Sequence, residues 1–213
     1  MTVIKSISYD QTEIINDIIK LHLDGNPIEL DPTYSIGNFY KNNNIEDPIH
    51  KFDINPQREG VLCANSEDIP LDDSSVNSIM FDPPFLACSG KSLSDDDAKS
   101  NIITKRFSSY YSEKLLHEYY SKSLKEFYRL SKDKGILIFK CQDKVSSGKQ
   151  YFSHIQVYNE AIKIGWYAKD LFILLAKNRI ISSKHKNQQH ARKFHSYFWV
   201  FKKEIKNLNI QGL

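Results

Sequence analysis

Apolar residues recur along this chain at two spacings, one typical of helices and the other of strands. Three stretches place them on one helical face, at 11–23, 113–131 and 151–165. Seven shorter apolar runs predict strands at 28–31, 50–54, 60–64, 75–81, 135–142, 168–176 and 195–203. Strands that alternate with helices indicate an α/β protein whose mainly parallel sheet is covered on both faces. No helical pattern separates the last two strands, so we expect them to form an antiparallel pair at one edge.

The composition favours a single globular domain over a membrane-spanning, secreted or metal-binding protein. The 213 residues are 40% hydrophobic, enough for a single domain over 1–213 with a real core. No apolar run is long enough to span a membrane, and the first residues lack the basic and apolar order of a signal peptide. Cys63, Cys88 and Cys141 lack metal-ligand spacing. We therefore expect a cytoplasmic protein with reduced thiols and no metal site, with Cys63 and Cys141 in the core.

Charge divides the chain into an acidic and a basic part. Residues 1–100 carry 7 Lys or Arg and 18 Asp or Glu, whereas residues 101–213 carry 22 and 8. The stretch 177–194 contains no acid and six cations, which are Lys177, Arg179, Lys184, Lys186, Arg192 and Lys193. Cations grouped in this way suit the phosphate backbone of a nucleic acid, although a solvated lysine-rich surface is the alternative. We predict substrate-binding loops at about 86–112 and 177–194.

Three strand ends carry residues suited to a nucleotide-like ligand. The first predicted strand ends at Asp31, and the turn after it has small residues at Ser35 and Gly37, where backbone amides can approach a ligand closely. Asp53 ends the next strand, 22 residues later, and a carboxylate there can accept hydrogen bonds from both ribose hydroxyls. After the third strand, Asn65 or Asp68 can accept a hydrogen bond from a purine amino group. An ordinary turn is the alternative for each of these segments.

The fourth strand ends abruptly in Asp82-Pro83-Pro84-Phe85. Prolines cannot continue a sheet, so the chain leaves it here in a rigid, extended form. An amino group on an aromatic base is a poor nucleophile because its lone pair is delocalised into the ring. A carboxylate and a backbone carbonyl that accept its two N–H bonds would draw the nitrogen towards tetrahedral geometry and free the lone pair. We predict that Asp82 and Pro83 do this while Phe85 stacks on the base.

These segments together resemble the S-adenosylmethionine-dependent amino-group DNA methyltransferases, which modify adenine N6 or cytosine N4. The family's catalytic motif, Asp/Asn/Ser-Pro-Pro-Tyr/Phe/Trp, is matched by Asp82, Pro83, Pro84 and Phe85. Its cofactor motif, Asp-Pro-Phe-x-Gly-x-Gly, is matched in part by Asp31, Pro32, Thr33, Tyr34, Ser35, Ile36 and Gly37. Thr33 replaces the Phe and Ser35 the first Gly. The acid that binds the ribose falls on Asp53, and the position that meets the cofactor's adenine falls on Asn65, where an acid is common. The similarity extends over about 29–203.

The resemblance implies a Rossmann-like methyltransferase fold, with a seven-stranded, mainly parallel sheet, one antiparallel edge strand and helices on both faces. It also implies S-adenosylmethionine as cofactor and a flipped adenine in DNA as substrate, since Asp at the first motif position favours adenine. Cytosine-N4 methylation, RNA adenine methylation and a catalytically silent nucleic-acid-binding module are the alternatives. Because 213 residues barely exceed a catalytic core, we expect either a short recognition site or a partner chain or homodimer that assists sequence recognition. A restriction-modification system is one setting for such an enzyme.

Overall fold

The computed structural model of the chain describes residues 3–41, 45–85, 112–146, 148–177 and 190–204. All three predicted helices are present, as α1 (Gln11–His22), α2 (Glu113–Leu130) and α3 (Ser153–Ile164). Side chains cap the first two, because Asp10 accepts a hydrogen bond from the Thr12 amide and Ser112 accepts one from Leu115. Gly165 ends α3 in the left-handed conformation that glycine adopts without strain.

The described ranges also contain ten strands. They are β1 (Ile7–Ser8), β2 (Leu30–Asp31), β3 (His50–Asp53), β4 (Leu62–Cys63), β5 (Val76–Phe81), β6 (Ser131–Cys141), β7 (Lys144–Ser146), β8 (Lys149–Tyr151), β9 (Trp166–Leu175) and β10 (His195–Lys203). The main sheet has the order β1-β9-β10-β6-β5-β2-β3-β4, and β7 pairs with β8 in a separate hairpin. The main sheet therefore has eight strands and not the predicted seven, since the two-residue β1 extends it beside β9.

The antiparallel strand lies inside the sheet, which corrects the predicted edge position. β10 runs antiparallel to β9, as expected, but it also runs antiparallel to β6, while every other neighbouring pair is parallel. Phe198 and Val200 are buried on one face of β10 and Phe201 on the other. Apolar side chains on both faces are typical of strands inside a sheet that is covered on both faces, so the interior position fits the sequence of β10.

Two hydrophobic clusters cover the two faces of the sheet, as predicted. Ile79 and Phe81 of β5 pack in the cluster that contains α2 and α3, whereas Met80 packs in the cluster that contains α1. Side chains of a strand alternate between faces, so one apolar run supplies both cores. Cys141 is buried, as predicted, but Cys63 is exposed because β4 is an edge strand. Cys88 lies outside the described residues.

Within the described residues, no helix is both long and apolar enough to cross a membrane.

Candidate active site

Parallel strands β2, β3 and β5 bring the predicted site residues to one edge of the sheet. Leu30 of β2 pairs with Ile79 of β5, and β2 pairs with β3 on its other side. β2, β3 and β5 each end within a few residues of these pairs. Asp31, Asp53 and Asp82 therefore lie at the carboxyl edge of the sheet. Open α/β sheets hold their ligands in the crevice outside this edge.

Asp31 holds the turn after β2 from within. Its carboxylate is fully buried and accepts hydrogen bonds from the Thr33 amide (2.8 Å), the Thr33 hydroxyl (3.2 Å) and the Tyr40 hydroxyl (2.9 Å). Burial raises the pKa of Asp31 to about 7, although the bonds from Thr33 and Tyr40 act in the opposite direction. Asp31 thus organises the turn, and its contact with a cofactor stays a prediction.

The turn itself needs two residues in the left-handed conformation. Ser35 has a φ of 52° and Gly37 a φ of 72°. The ring of Tyr34 lies against Gly37, so that a Cβ on this glycine would stand 2.6 Å from Tyr34 Cζ. Tyr34 is held there by hydrogen bonds to Asp47 (2.8 Å) and from Arg58 (3.0 Å). Packing against Tyr34 is therefore a second reason, besides φ, for glycine at position 37.

Asp53 connects the end of β3 to the same turn. One of its carboxylate oxygens accepts the Ser35 amide (2.8 Å) and the other accepts the Asn55 amide (2.8 Å). Burial raises the pKa of Asp53, and these two amides lower it. A carboxylate has about four acceptor positions, so each oxygen can take a further bond from a ligand.

Asn65 lies on the surface after β4. Its side-chain oxygen accepts the Glu67 amide at 3.1 Å, and its backbone carbonyl accepts the amide of Asp68 at 2.9 Å. These bonds fix the side-chain oxygen towards the protein, which leaves the Asn65 amide nitrogen as the group to meet a ligand.

The Asp82 corner is linked to the Asp31 turn through one hydroxyl. The backbone amide of Asp82 donates to Thr33 Oγ1 at 2.9 Å, and the same hydroxyl donates to Asp31. The two motif matches thus form one hydrogen-bonded unit at the sheet edge. Their separation along the chain, 49 residues, gave no hint of this bond.

Two further side chains fix the backbone of the corner. The Tyr120 hydroxyl of α2 donates to the Pro84 carbonyl at 2.6 Å. Lys144, whose ammonium lies 3.0 Å from the Glu113 carboxylate, donates to the Phe85 carbonyl. Burial lowers the pKa of Lys144, and Glu113 acts against this shift. Among the described residues, no donor bonds the carbonyl of Pro83, which is a buried residue.

Lys140, which the motif search did not select, lies beside the Asp82 carboxylate. Its ammonium is 3.3 Å from Asp82 Oδ2 and donates to Gln11 Oε1 at 2.9 Å. Burial raises the pKa of the Asp82 carboxyl, and Lys140 is the group that lowers it. The sequence carries a signal for this residue, because it is the charged position near the end of the buried strand β6.

The structure describes only part of the predicted basic loop. Lys177 and Arg192 are exposed, and Lys193 is half-buried. The Ala176 amide donates to the Phe194 carbonyl at 2.8 Å and closes the base of the loop. Arg179, Lys184 and Lys186 lie outside the described residues, as does nearly all of the loop predicted at 86–112. Phosphate binding by these cations stays a prediction. The described residues contain no group of three His, Cys, Asp or Glu that could hold a metal ion.

Comparisons with known proteins give structural similarity alone. No protein-family model matches the chain, and no curated protein matches it. Among solved structures, the candidate DNA modification methylase TTHA0409 of Thermus thermophilus, complexed with S-adenosyl-L-methionine, is 13% identical over 68% of this chain and 55% of its own, with a TM-score of 0.46. The chain thus spans about half the length of that methylase.

Two further solved structures are similar to this chain over most of its length and most of their own. The methyltransferase complexed with the Trm112 activator of Haloferax volcanii is 12% identical over 88% of this chain and 89% of its own, with a TM-score of 0.48. A SAM-dependent methyltransferase from Thermotoga maritima is 14% identical over 84% of this chain and 83% of its own, with a TM-score of 0.45. All three TM-scores are below 0.5.

Proposed function

We propose that this protein is an S-adenosylmethionine-dependent methyltransferase that acts on the N6 amino group of adenine in DNA. The observation that supports this most directly is the bond between Asp82 and Thr33. Through it, the corner that matches the catalytic motif and the turn that matches the cofactor motif are adjacent at the carboxyl edge of the sheet. A transfer between a cofactor and a base requires this adjacency.

The residues around the turn fit the proposed cofactor. Asp53 retains acceptor positions for two ribose hydroxyls, and it is already oriented by two backbone amides. The Ser35 hydroxyl oxygen is buried without a hydrogen-bond partner among the described residues. Buried polar atoms in proteins are nearly always bonded, so this oxygen is a place for a ligand contact. When bound, S-adenosylmethionine would supply an electrophilic methyl group.

Asp82, Pro83 and Phe85 are the groups that would act on the base. Asp82 Oδ2 faces Lys140, which leaves Oδ1 to accept one N–H of the amine. The Pro83 carbonyl accepts the other N–H, and the Phe85 ring stacks on the base. The Asp82 carboxylate also lies where it can accept the proton that the nitrogen releases after methylation. Alignment of these groups, and not a strong base, provides most of the rate enhancement.

DNA is the proposed substrate because of the charge around the site. The part of the chain after residue 100 is strongly basic, and the exposed Lys177 and Arg192 belong to the described parts of the acid-free loop. Neutralising phosphates releases counterions, so these cations favour a polyanion over a small molecule as the substrate. The Asp at position 82 favours adenine in the family that the sequence resembles.

Methyl transfer from labelled S-adenosylmethionine tests the proposal. Duplex DNA, single-stranded DNA and RNA are incubated in parallel, digested to nucleosides and separated. We expect label in N6-methyladenine from DNA. Label in N4-methylcytosine or in RNA would keep the chemistry and change the substrate. Cofactor binding without transfer to any of the three would contradict the proposed function and favour a silent binding module.

A further inference from the structure

Lys140 lies in an unusual place for a lysine. It stands near the end of β6, between Ile138 and Cys141, which are fully buried, and only 12% of its side chain is exposed. The rings of Phe39, Phe85 and Phe198 surround its ammonium, with centroids 5.0, 5.7 and 5.5 Å away. A buried ammonium is costly unless it is paired, so this arrangement calls for an explanation.

The partners of this ammonium come from three different elements. Asp82 lies directly after β5 and gives the charge–charge contact at 3.3 Å. Gln11, the first residue of α1, accepts a second N–H bond at 2.9 Å. Phe198 of β10 pairs with Lys140 across the sheet. Contacts with α1 and β10 thus hold the Lys140 side chain, and they fix its ammonium beside Asp82.

We propose that Lys140 is a positioning residue for the reaction, which keeps the Asp82 carboxylate ionised and turns its Oδ1 towards the acceptor amine. This inference rests on the proposed function and deepens it. A protonated Asp82 would carry an O–H donor where the amine needs an acceptor. Among the described residues, Lys140 is the cation beside Asp82, and the buried Asp31 and Tyr120 are titratable groups whose pKa the Asp82 carboxylate raises. Burial raises the pKa of Asp82, and the ammonium of Lys140 is the group that favours the ionised carboxyl.

A second buried lysine provides a matched control. Lys203, in β10 near the opposite end of the sheet, is 7% exposed, lies over the Tyr128 ring at 4.7 Å and donates to the carbonyls of Tyr128 (2.7 Å) and Ser131 (2.8 Å). It therefore resembles Lys140 in burial, in ring contact and in hydrogen bonding. It differs in having no contact with Asp82.

The experiment follows the ionisation of Asp82 directly. Carbon-13 carboxyl signals of the full chain are titrated by NMR, and the Asp82 signal is assigned by its loss in Asp82→Asn. In Lys140→Met we expect the Asp82 titration to move to higher pH, whereas in Lys203→Met it stays at the wild-type position. Lys140→Arg, which retains the charge, should restore the wild-type titration. Lys140→Gln serves as a second neutral variant where Lys140→Met does not fold.

Activity gives the second readout. Below the raised pKa, the turnover of Lys140→Met should fall about tenfold per pH unit, and it should recover as the pH rises. In the Asp82→Asn background this pH dependence should vanish, because an amide does not titrate. An unchanged Asp82 titration in folded Lys140→Met and Lys140→Gln would overturn the inference. The titration does not need a methylated product, so its outcome is independent of whether the proposed substrate is correct.

Discussion

The backbone amide of Asp82 donates a hydrogen bond of 2.9 Å to the hydroxyl of Thr33, and that hydroxyl donates in turn to the buried carboxylate of Asp31. A single side-chain oxygen therefore joins the ends of β2 and β5. In the family that the sequence resembles, a phenylalanine is usual at the position of Thr33. Thr33 supplies a hydroxyl at this position, and its two hydrogen bonds make the link testable.

Thr33→Val removes the hydroxyl and keeps the shape of the side chain. We expect a loss of about 1–2 kcal/mol in the free energy of unfolding, because the Asp82 amide then lacks its acceptor. Turnover should fall about tenfold or more, since small displacements of a catalytic group are costly. Urea unfolding and the methyl-transfer assay measure the two effects. Thr33→Ser retains the hydroxyl and should behave like the wild type; equal losses in both variants would contradict a role for the bond.

Asp82→Ala removes the proposed acceptor of the amine hydrogen bond. Turnover should fall about a hundredfold or more, while the cofactor should bind with nearly unchanged affinity. Calorimetry with S-adenosylmethionine and the transfer assay separate binding from chemistry. Full activity in this variant would refute the assignment of Asp82. The exposed Asp72, replaced by Ala, controls for the loss of an acid elsewhere.

Asp53→Ala should mainly weaken the binding of S-adenosylmethionine. The change removes the acceptors of the Ser35 and Asn55 amides and the proposed ribose contact. Because hydrogen bonds to charged groups contribute about 1.5–3 kcal/mol each, we expect the Kd for S-adenosylmethionine to rise about tenfold or more. Asp53→Asn retains one acceptor oxygen and should be intermediate in Kd. An Asp53→Ala protein with wild-type cofactor affinity would place the ribose elsewhere.

Asp31 should make stability depend on pH. Burial raises the pKa of Asp31 to about 7, so the folded chain holds this proton more tightly than the unfolded chain does. Its contribution to stability is therefore full below about pH 4 and is lost as the pH rises to about 7, by up to about 4 kcal/mol. Unfolding free energies measured from pH 4 to 8 in wild type and Asp31→Asn test this. The difference between the two proteins should change with pH in that window; a constant difference would show that Asp31 does not titrate there.

Gly37→Ala should destabilise the turn more than its backbone conformation alone requires. The new Cβ would meet the Tyr34 ring, and the residue would keep a positive φ. Gly60 has a similar φ, 79° against 72°, and nothing lies within 4 Å of its added Cβ. Gly60→Ala should therefore cost only the strain of φ, about 1 kcal/mol, and Gly37→Ala should cost about 1–3 kcal/mol more. Thermal unfolding compares them, and equal losses would remove Tyr34 from the explanation.

The sequence predicted the elements of the fold better than their arrangement. The apolar runs at β5, β6 and β10 were found because each exceeds five residues, whereas the two-residue β1 and the short β7–β8 hairpin carry no pattern of that length. The interior position of β10 depends on its pairing with β6, some 60 residues earlier, and periodicity within a strand does not report its neighbours.

For the candidate site as well, the sequence predicts some residues but not the contacts between them. Asp82 and Asp53 stand out in the sequence because acids at strand ends have chemical uses, and the structure brings both to one edge of the sheet. The sequence indicates Thr33 only through its position in the cofactor motif, and it does not predict the bond to Asp82. Lys140 and Tyr120 belong to no motif, since they act on the corner from β6 and α2. Such supporting contacts exist only once the chain has folded.

The place of β10 between β6 and β9 has a consequence for how the chain assembles during synthesis. Of the described strands, β10 is the last to leave the ribosome, yet it separates two strands that are made earlier. Until residues 195–203 emerge, β6 and β9 each keep an unpaired edge, and β6 carries Lys140 beside Asp82. A nascent chain without β10 therefore has two edges with unpaired backbone groups, at which aggregation and chaperone binding compete with completion of the sheet.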